Sequence, residues 1–130
     1  KYIENIDIFA KSFRRREGLS KNFKFKNFTN KPTLLKKKYD LIINASNAGM
    51  SHGNKINRNI LRLVKKTKGV IDIVYNPLET DLLKEAKKHN IKSIGGLIML
   101  VEQAKPSFEI WSKKDIEIDD KIYRSLISKI

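Results

Sequence analysis

Apolar residues come along this chain in short β-branched runs separated by stretches of helical spacing, which predicts strands and helices in turn. Asn5 to Phe9, NIDIF, alternates apolar and polar and predicts a strand. A helix follows to about Lys21, and then FKFKNF, from Phe23 to Phe28, has the period of two of a short edge strand with its lysines on the wet side. Thr29 to Lys38 reads as a turn with Pro32 and a short helix. Leu41 to Ile43 predicts a buried strand, and Asn59 to Lys66 an amphipathic helix with Ile60, Leu61 and Val64 inward.

Gly69 to Thr80, GVIDIVYNPLET, predicts a further strand covered on both faces, because Val70, Ile71, Ile73 and Val74 are β-branched and the run is nearly continuous. Asn76-Pro77 then forces a turn. Thr80 to Asn90 predicts a helix capped by Thr80, with Leu82, Leu83 and Ala86 on one face and His89 near its carboxyl end. Lys92 to Ile94 is a brief strand. After Gly95-Gly96, Leu97 begins a long helix on which Leu97, Leu100, Val101, Ala104, Phe108 and Trp111 keep the spacing of one buried face, interrupted and kinked at Pro106. Asp119-Asp120 caps a last helix with Ile122, Tyr123, Leu126 and Ile127 inward. Strands alternating with helices place the chain in the α/β class, where ligands sit at the carboxyl ends of the strands.

Composition narrows the functional classes. At 130 residues the chain is one domain at most, and its first residue, Lys1, sits in what reads as the tail of a helix, so a fragment of a longer protein is expected. It has no cysteine, no signal peptide and no apolar run near eighteen residues, which leaves a cytoplasmic soluble domain as the default expectation. The formal charge is +14, and residues 11 to 38 hold eleven Lys and Arg against Glu17 alone. Phe13, Phe23, Phe25 and Phe28 interleave with these cations as stacking platforms would, so a nucleic-acid module is one alternative. A lysine-heavy solvated surface is the other.

The candidate chemistry lies at strand ends. Lys11 and Arg15, four residues apart on the opening turns of a helix, are placed to clamp one phosphate, with Arg14 beside them and Ser12 as the cap and a hydroxyl donor. The alternative is a helix start that is merely basic. The loop Asn44 to Gly49, NASNAG, is made of small residues that let backbone amides approach a ligand, although strand-to-loop transitions often use such residues. His52 reads as solvated and His89 as structural. Gln103 lies off the apolar stripe, where its amide is free to meet a ligand or simply to face water.

Three blocks in order, DLIINASNAGM, then DIVYNPLET with LLKEAKK, then GGLIMLVEQAKPSFEIW, resemble the carboxy-terminal half of shikimate dehydrogenase, the match covering about residues 5 to 111. The resemblance implies a Rossmann-type three-layer parallel sheet, here without its first strand and glycine-rich turn, and an enzyme that reduces 3-dehydroshikimate to shikimate with NADPH. It implies that Lys11, Ser12 and Arg15 hold the cofactor's 2′-phosphate, with Arg14 also cofactor-binding. Ser46 and Asn47 pass the cofactor, Ile73 and Gly96 meet its nicotinamide half through their backbones, and Met99 and Leu100 line the ring. Tyr75 would reach the substrate carboxylate and Gln103 a substrate hydroxyl. No metal is implied, and no catalytic residue falls in these 130 residues, because the family's Lys and Asp belong to an amino-terminal domain.

Several residues depart from the family pattern. Ala10 and Lys11 replace the usual Asn and Arg, which softens cofactor discrimination by removing a bidentate guanidinium. Ile98 stands where a second glycine is common, Pro106 where the family has a helix former, and Asp81 where it has Pro. Residues 1–112 are expected to form the partial cofactor domain and 113–130 a linker and helix. In the Rossmann strand order a missing first strand would leave a gap of roughly 9.6 Å between Asn5–Phe9 and Leu41–Ile43. The isolated chain is therefore expected to be unstable or to aggregate. The expected partners are the small-molecule substrate, the amino-terminal domain of the same protein, and a second copy in a homodimer. A quinate/shikimate dehydrogenase using NAD and an inactive degenerate fragment are the remaining alternatives.

Overall fold

The computed structural model describes residues 6–9, 27–28 and 37–129, and the chain divides into two units, Lys1–Lys37 and Lys38–Ile130. In the first unit β1 (Asp7–Ile8) pairs in parallel with β2 (Asn27–Phe28), Asp7 opposite Asn27 and Ile8 opposite Phe28. Both pieces fall within the strands expected from NIDIF and FKFKNF. The Asp7 carboxylate accepts from Lys37 Nζ at 2.8 Å. Ala10, Lys11, Ser12, Arg14 and Arg15, the helix expected to Lys21 and most of the segment 29–38 lie outside the described residues.

In the second unit β3 (Tyr39–Asn44), β4 (Thr67–Asp72) and β5 (Lys92–Ile94) form a parallel sheet in the order β3-β4-β5. Parallel neighbours need a long return, and each connection carries a helix that supplies it. α1 (Arg58–Val64) lies between β3 and β4, and α2 (Asp81–Lys88) between β4 and β5. Their starts follow from the sequence: the Asn57 side chain accepts from Asn59 N and that of Thr80 from Leu83 N. Each such cap contributes about 1 kcal/mol. α1 and α2 pack on β4 and on each other. Their contact makes a core of Ile56, Val64, Val70, Leu82, Leu83 and Ala86, fringed by Ile42, Ile60, Leu61 and Ile91.

That core lies on the face of the sheet carrying Ile42 and Val70, which stand opposite each other in register. The other face carries the row Ile43, Ile71 and Ile94, also aligned in register. Leu41, Ile43 and Ile94 are 44%, 54% and 47% exposed, so β3 is not the buried strand its apolar run suggests, and β4 is fully covered on one face only. A β-branched run specifies a strand but leaves open whether a second layer covers it. Among the described residues of this unit, nothing buries that face.

α3 (Gly96–Ser112) runs unbroken through Pro106, which corrects the expected interruption. Proline withholds one helical hydrogen bond. The turn that loses it is solvated, Glu102, Gln103 and Pro106 all being exposed. The apolar stripe is also shorter in effect than its spacing suggests. Gly96, Leu97 and Val101 are buried and Leu100 half-buried, but Ala104 and Phe108 are exposed, and Trp111 is 83% exposed. α4 (Asp120–Ile127) starts at Asp119, whose carboxylate accepts from Ile122 N at 3.0 Å. None of its residues is buried: Tyr123 and Leu126 are half-buried, Ile122 and Ile127 exposed. The Tyr123 hydroxyl donates to Glu102 Oε1 at 3.3 Å, joining α4 to α3. No helix among the described residues is long and apolar enough to cross a membrane.

Candidate functional site

The strands β3 and β4 end side by side on Asn44 and Asp72, which are register partners. Asp72 is completely buried. Its Oδ1 accepts from Asn44 Nδ2 at 2.9 Å and from Val74 N at 3.1 Å, and its Oδ2 from the Thr80 hydroxyl at 2.6 Å. Removing a carboxylate from water costs several kcal/mol, and a hydrogen bond to a charged acceptor contributes about 1.5–3 kcal/mol, so three donors are of the size needed to hold it there. Asn44 is equally committed. Its Nδ2 also donates to the Ala48 carbonyl at 2.8 Å, while its Oδ1 accepts from Ser46 N and Ser46 Oγ at 3.2 and 2.7 Å. The Ser46 amide can only donate and the Ala48 carbonyl can only accept, which fixes the orientation of the Asn44 amide. Ser46, expected to pass the cofactor, is thus tied to Asn44 within its own loop.

Two loops rise from these strand ends. The first, 45–57, turns on Gly49, whose φ of +95° suits glycine and whose amide donates to Asn54 O at 2.7 Å. The second, 73–80, carries Tyr75 and a cis Asn76–Pro77 bond. The loops meet again where Ser51 donates from its amide to the Asn76 carbonyl at 3.3 Å and from its hydroxyl to Asn76 Oδ1 at 2.9 Å. Between them lies a cavity of about 250 Å³ lined by Asn47, Met50, Ser51, His52, Tyr75 and Asn76. Asn47 and Tyr75 are therefore brought together. His52, read from the sequence as solvated, is exposed but sits on this wall.

Ile73 and Gly96 also meet. Ile73 N donates to Asn44 O at 3.1 Å, and Gly96 N to Val74 O at 3.2 Å, so the first amide of α3 is spent on the segment that follows β4 rather than on a side-chain cap. The approach is so close that a Cβ on Gly96 would overlap the Ile73 carbonyl. This explains the glycine. Met99, on the next turn, is 45% exposed and Leu100 half-buried. Gln103 is exposed, with its carbonyl accepting from Ser107 Oγ at 3.5 Å. None of these three lines the Tyr75 cavity. A larger open cleft of about 530 Å³, walled by Leu78, Leu83, Ile91, Leu97 and the paired Glu79 and Lys87, contains no residue expected to act.

Sequence reasoning passed over Asp72 and Asn44. The available signal was a carboxylate inside an apolar strand, with Asn44 closing the neighbouring strand and a threonine eight residues on. Elsewhere, Asp40 and Lys68 form an exposed cross-strand pair at 2.6 Å. The Lys68 hydrogen bond, and then its charge, hold the Asp40 carboxyl below its ordinary value, with the converse for Lys68. No cluster of metal-binding side chains occurs among the described residues.

No family model matches the chain. A protein from Methanococcus maripaludis named shikimate dehydrogenase (NADP(+)) is 38% identical over 135 residues, the alignment covering 97% of this chain and 48% of that protein. The chain is related to the shikimate dehydrogenases. A Pelagibacter ubique shikimate dehydrogenase (NADP(+)) is 39% identical over 83 residues, 64% of this chain and 31% of its own length. The chain spans about half the length of the first of these shikimate dehydrogenases. Solved structures agree. A chorismate mutase/shikimate 5-dehydrogenase fusion protein from Clostridium acetobutylicum has a TM-score of 0.72 at 31% identity, covering 97% of this chain and 45% of that one. A shikimate dehydrogenase solved in complex with NADP+ has a TM-score of 0.67 at 32% identity, covering 96% and 46%. The parallel sheet with its helices is accordingly the Rossmann-type architecture of the shikimate dehydrogenases.

Proposed function

We propose that this chain is the cofactor-side part of a cytoplasmic, NADP-dependent shikimate dehydrogenase that reduces 3-dehydroshikimate to shikimate. The observation that carries this reading is the relationship along 97% of the chain to a protein named for that activity. The residues at the strand ends fit such a cofactor. Ile73 and Gly96 form a tight backbone seam at the start of the helix that carries the exposed Met99, and Tyr75 is 42% exposed. NADPH supplies the hydride when bound. Lys11, Ser12, Arg14 and Arg15 hold its 2′-phosphate, the two arginines giving planar forks and Lys11 a point charge. Ser46 and Asn47 flank its path, and Met99 and Leu100 line the nicotinamide.

Tyr75 donates its phenol hydrogen to the substrate carboxylate, and Gln103 binds a ring hydroxyl through its amide. Together they orient the 3-keto carbon for transfer, a contribution of position rather than of proton chemistry. The proton comes from a Lys–Asp pair outside these 130 residues, on a second domain of the same protein, and the whole assembles as a homodimer. Residues 1–112 form the cofactor part, and 113–130 a linker and helix. The test is turnover by the natural polypeptide that carries these residues. NADPH-dependent loss of 3-dehydroshikimate with formation of shikimate is expected, and its absence in a folded protein contradicts the reading.

A further inference from the structure

Asp72 takes no part in the chemistry just described, yet it is completely buried and holds three partners, one from the end of β3 and two from the loop that follows β4. Two of them, Val74 N and the Thr80 hydroxyl, belong to the segment 72–80, so one carboxylate closes that loop from the inside. The third, Asn44, carries the connection to Ser46 and Ala48 of the facing loop. On the outside the same two loops are pinned by Ser51 and Asn76. Tyr75 and Asn47 stand on the cavity that Ser51 and Asn76 also line.

We propose that Asp72 is the positioning residue of this site: through Asn44 and Thr80 it sets the conformation of the loop that presents Tyr75 to the substrate. The proposal rests on reading Tyr75 as the ligand of the substrate carboxylate. Donor accounting shows why a carboxylate is required. Thr80 Oγ1 accepts from Leu83 N and donates its one hydrogen to Asp72 Oδ2. Asn44 and Val74 can only donate toward Oδ1. An amide in place of Asp72 faces a donor with its NH2 group in one orientation, and in the other it strands the Thr80 hydrogen. Asp72→Asn therefore perturbs the loop without changing the volume filled.

The experiment compares Asp72→Asn, Thr80→Val and Thr80→Ser in the natural polypeptide by amide hydrogen exchange and steady-state kinetics. For Asp72→Asn and Thr80→Val, exchange at residues 73–76 is expected to quicken by about ten-fold or more while α1 stays within about two-fold. The KM for 3-dehydroshikimate is expected to rise by about ten-fold with that for NADPH within about three-fold, and Thr80→Ser is expected to restore both measures. Uniform acceleration throughout Lys38–Ile130 would overturn the proposal, as would an unchanged substrate KM beside a loosened loop. If Asp72→Asn does not fold, the Thr80→Val and Thr80→Ser pair decides. Absence of turnover in the unmutated protein would refute the enzymatic reading and the substrate part of this proposal, while the exchange pattern separately decides whether Asp72 holds the loop.

Discussion

Replacing Gly96 with alanine perturbs the closest backbone approach at the site. The added Cβ would overlap the Ile73 carbonyl and come within 2.6 Å of the Val74 carbonyl carbon. These are backbone atoms of the segment that follows β4, with no flexible side chain to swing aside, so the start of α3 must retreat by about 1 Å to reach an ordinary contact. Overpacking of this kind costs about 1–3 kcal/mol. Losing the Gly96 N–Val74 O hydrogen bond adds about 1 kcal/mol, offset by at most about 1 kcal/mol from alanine's better helix propensity. The net is about 2 kcal/mol. For a polypeptide about twice the length of this chain, as the relatives are, that lowers Tm by roughly 4–8 °C. Thermal unfolding of the natural polypeptide, followed by circular dichroism, measures it directly. A Tm within about 2 °C of the unmutated protein would show that the seam between Ile73 and Gly96 is not a close contact.

Two further outcomes follow from the site and its surroundings. Tyr75→Phe removes the phenol hydroxyl while keeping the ring, and is expected to raise the KM for 3-dehydroshikimate by about ten-fold with little change for NADPH; equal effects on both would return Tyr75 to a structural role. Partial desolvation, followed by the charge and hydrogen bond of Glu102, raises the Tyr123 phenol above its ordinary value of 10.0. The folded protein thus holds that proton more tightly than the unfolded chain, so the associated stability is intact below the ordinary tyrosine range and is lost as pH rises through the folded value. Phenolate absorbance, assigned by the difference from Tyr123→Phe, is expected to move back toward the ordinary range in Glu102→Gln, and no movement would refute the contact.

Helix starts were legible because their chemistry is local: Thr80 precedes an apolar pair and caps α2, and Asp119 caps α4 in the same way. The order of strands and helices in residues 39–112 was legible for a similar reason, since each element carries its own period. Exposure was not. Spacing places Phe108 and Trp111 on one stripe with Leu97 and Val101, but what covers a stripe is decided by another element, and here burial ends after Val101. Tyr75 was singled out by the family resemblance, and the structure puts it on a cavity with Asn47. Asp72 was missed because its three donors come together only once β3 and β4 lie in register and the 72–80 loop folds back. Pairing of that kind cannot be read from spacing along one strand.

On the proposed function, the residues at these strand ends serve NADPH and a shikimate-like ring. The most direct measurement is kcat/KM for 3-dehydroshikimate reduction by the natural polypeptide with NADPH and with NADH, alongside the double variant Lys11→Ala with Arg15→Ala. NADPH is expected to exceed NADH by about ten-fold or more, and the double variant to lose most of that preference. A strong preference for NADH would contradict the assignment of Lys11 and Arg15. Salt-dependent binding to DNA or RNA with no affinity for NADPH would contradict the claim as a whole.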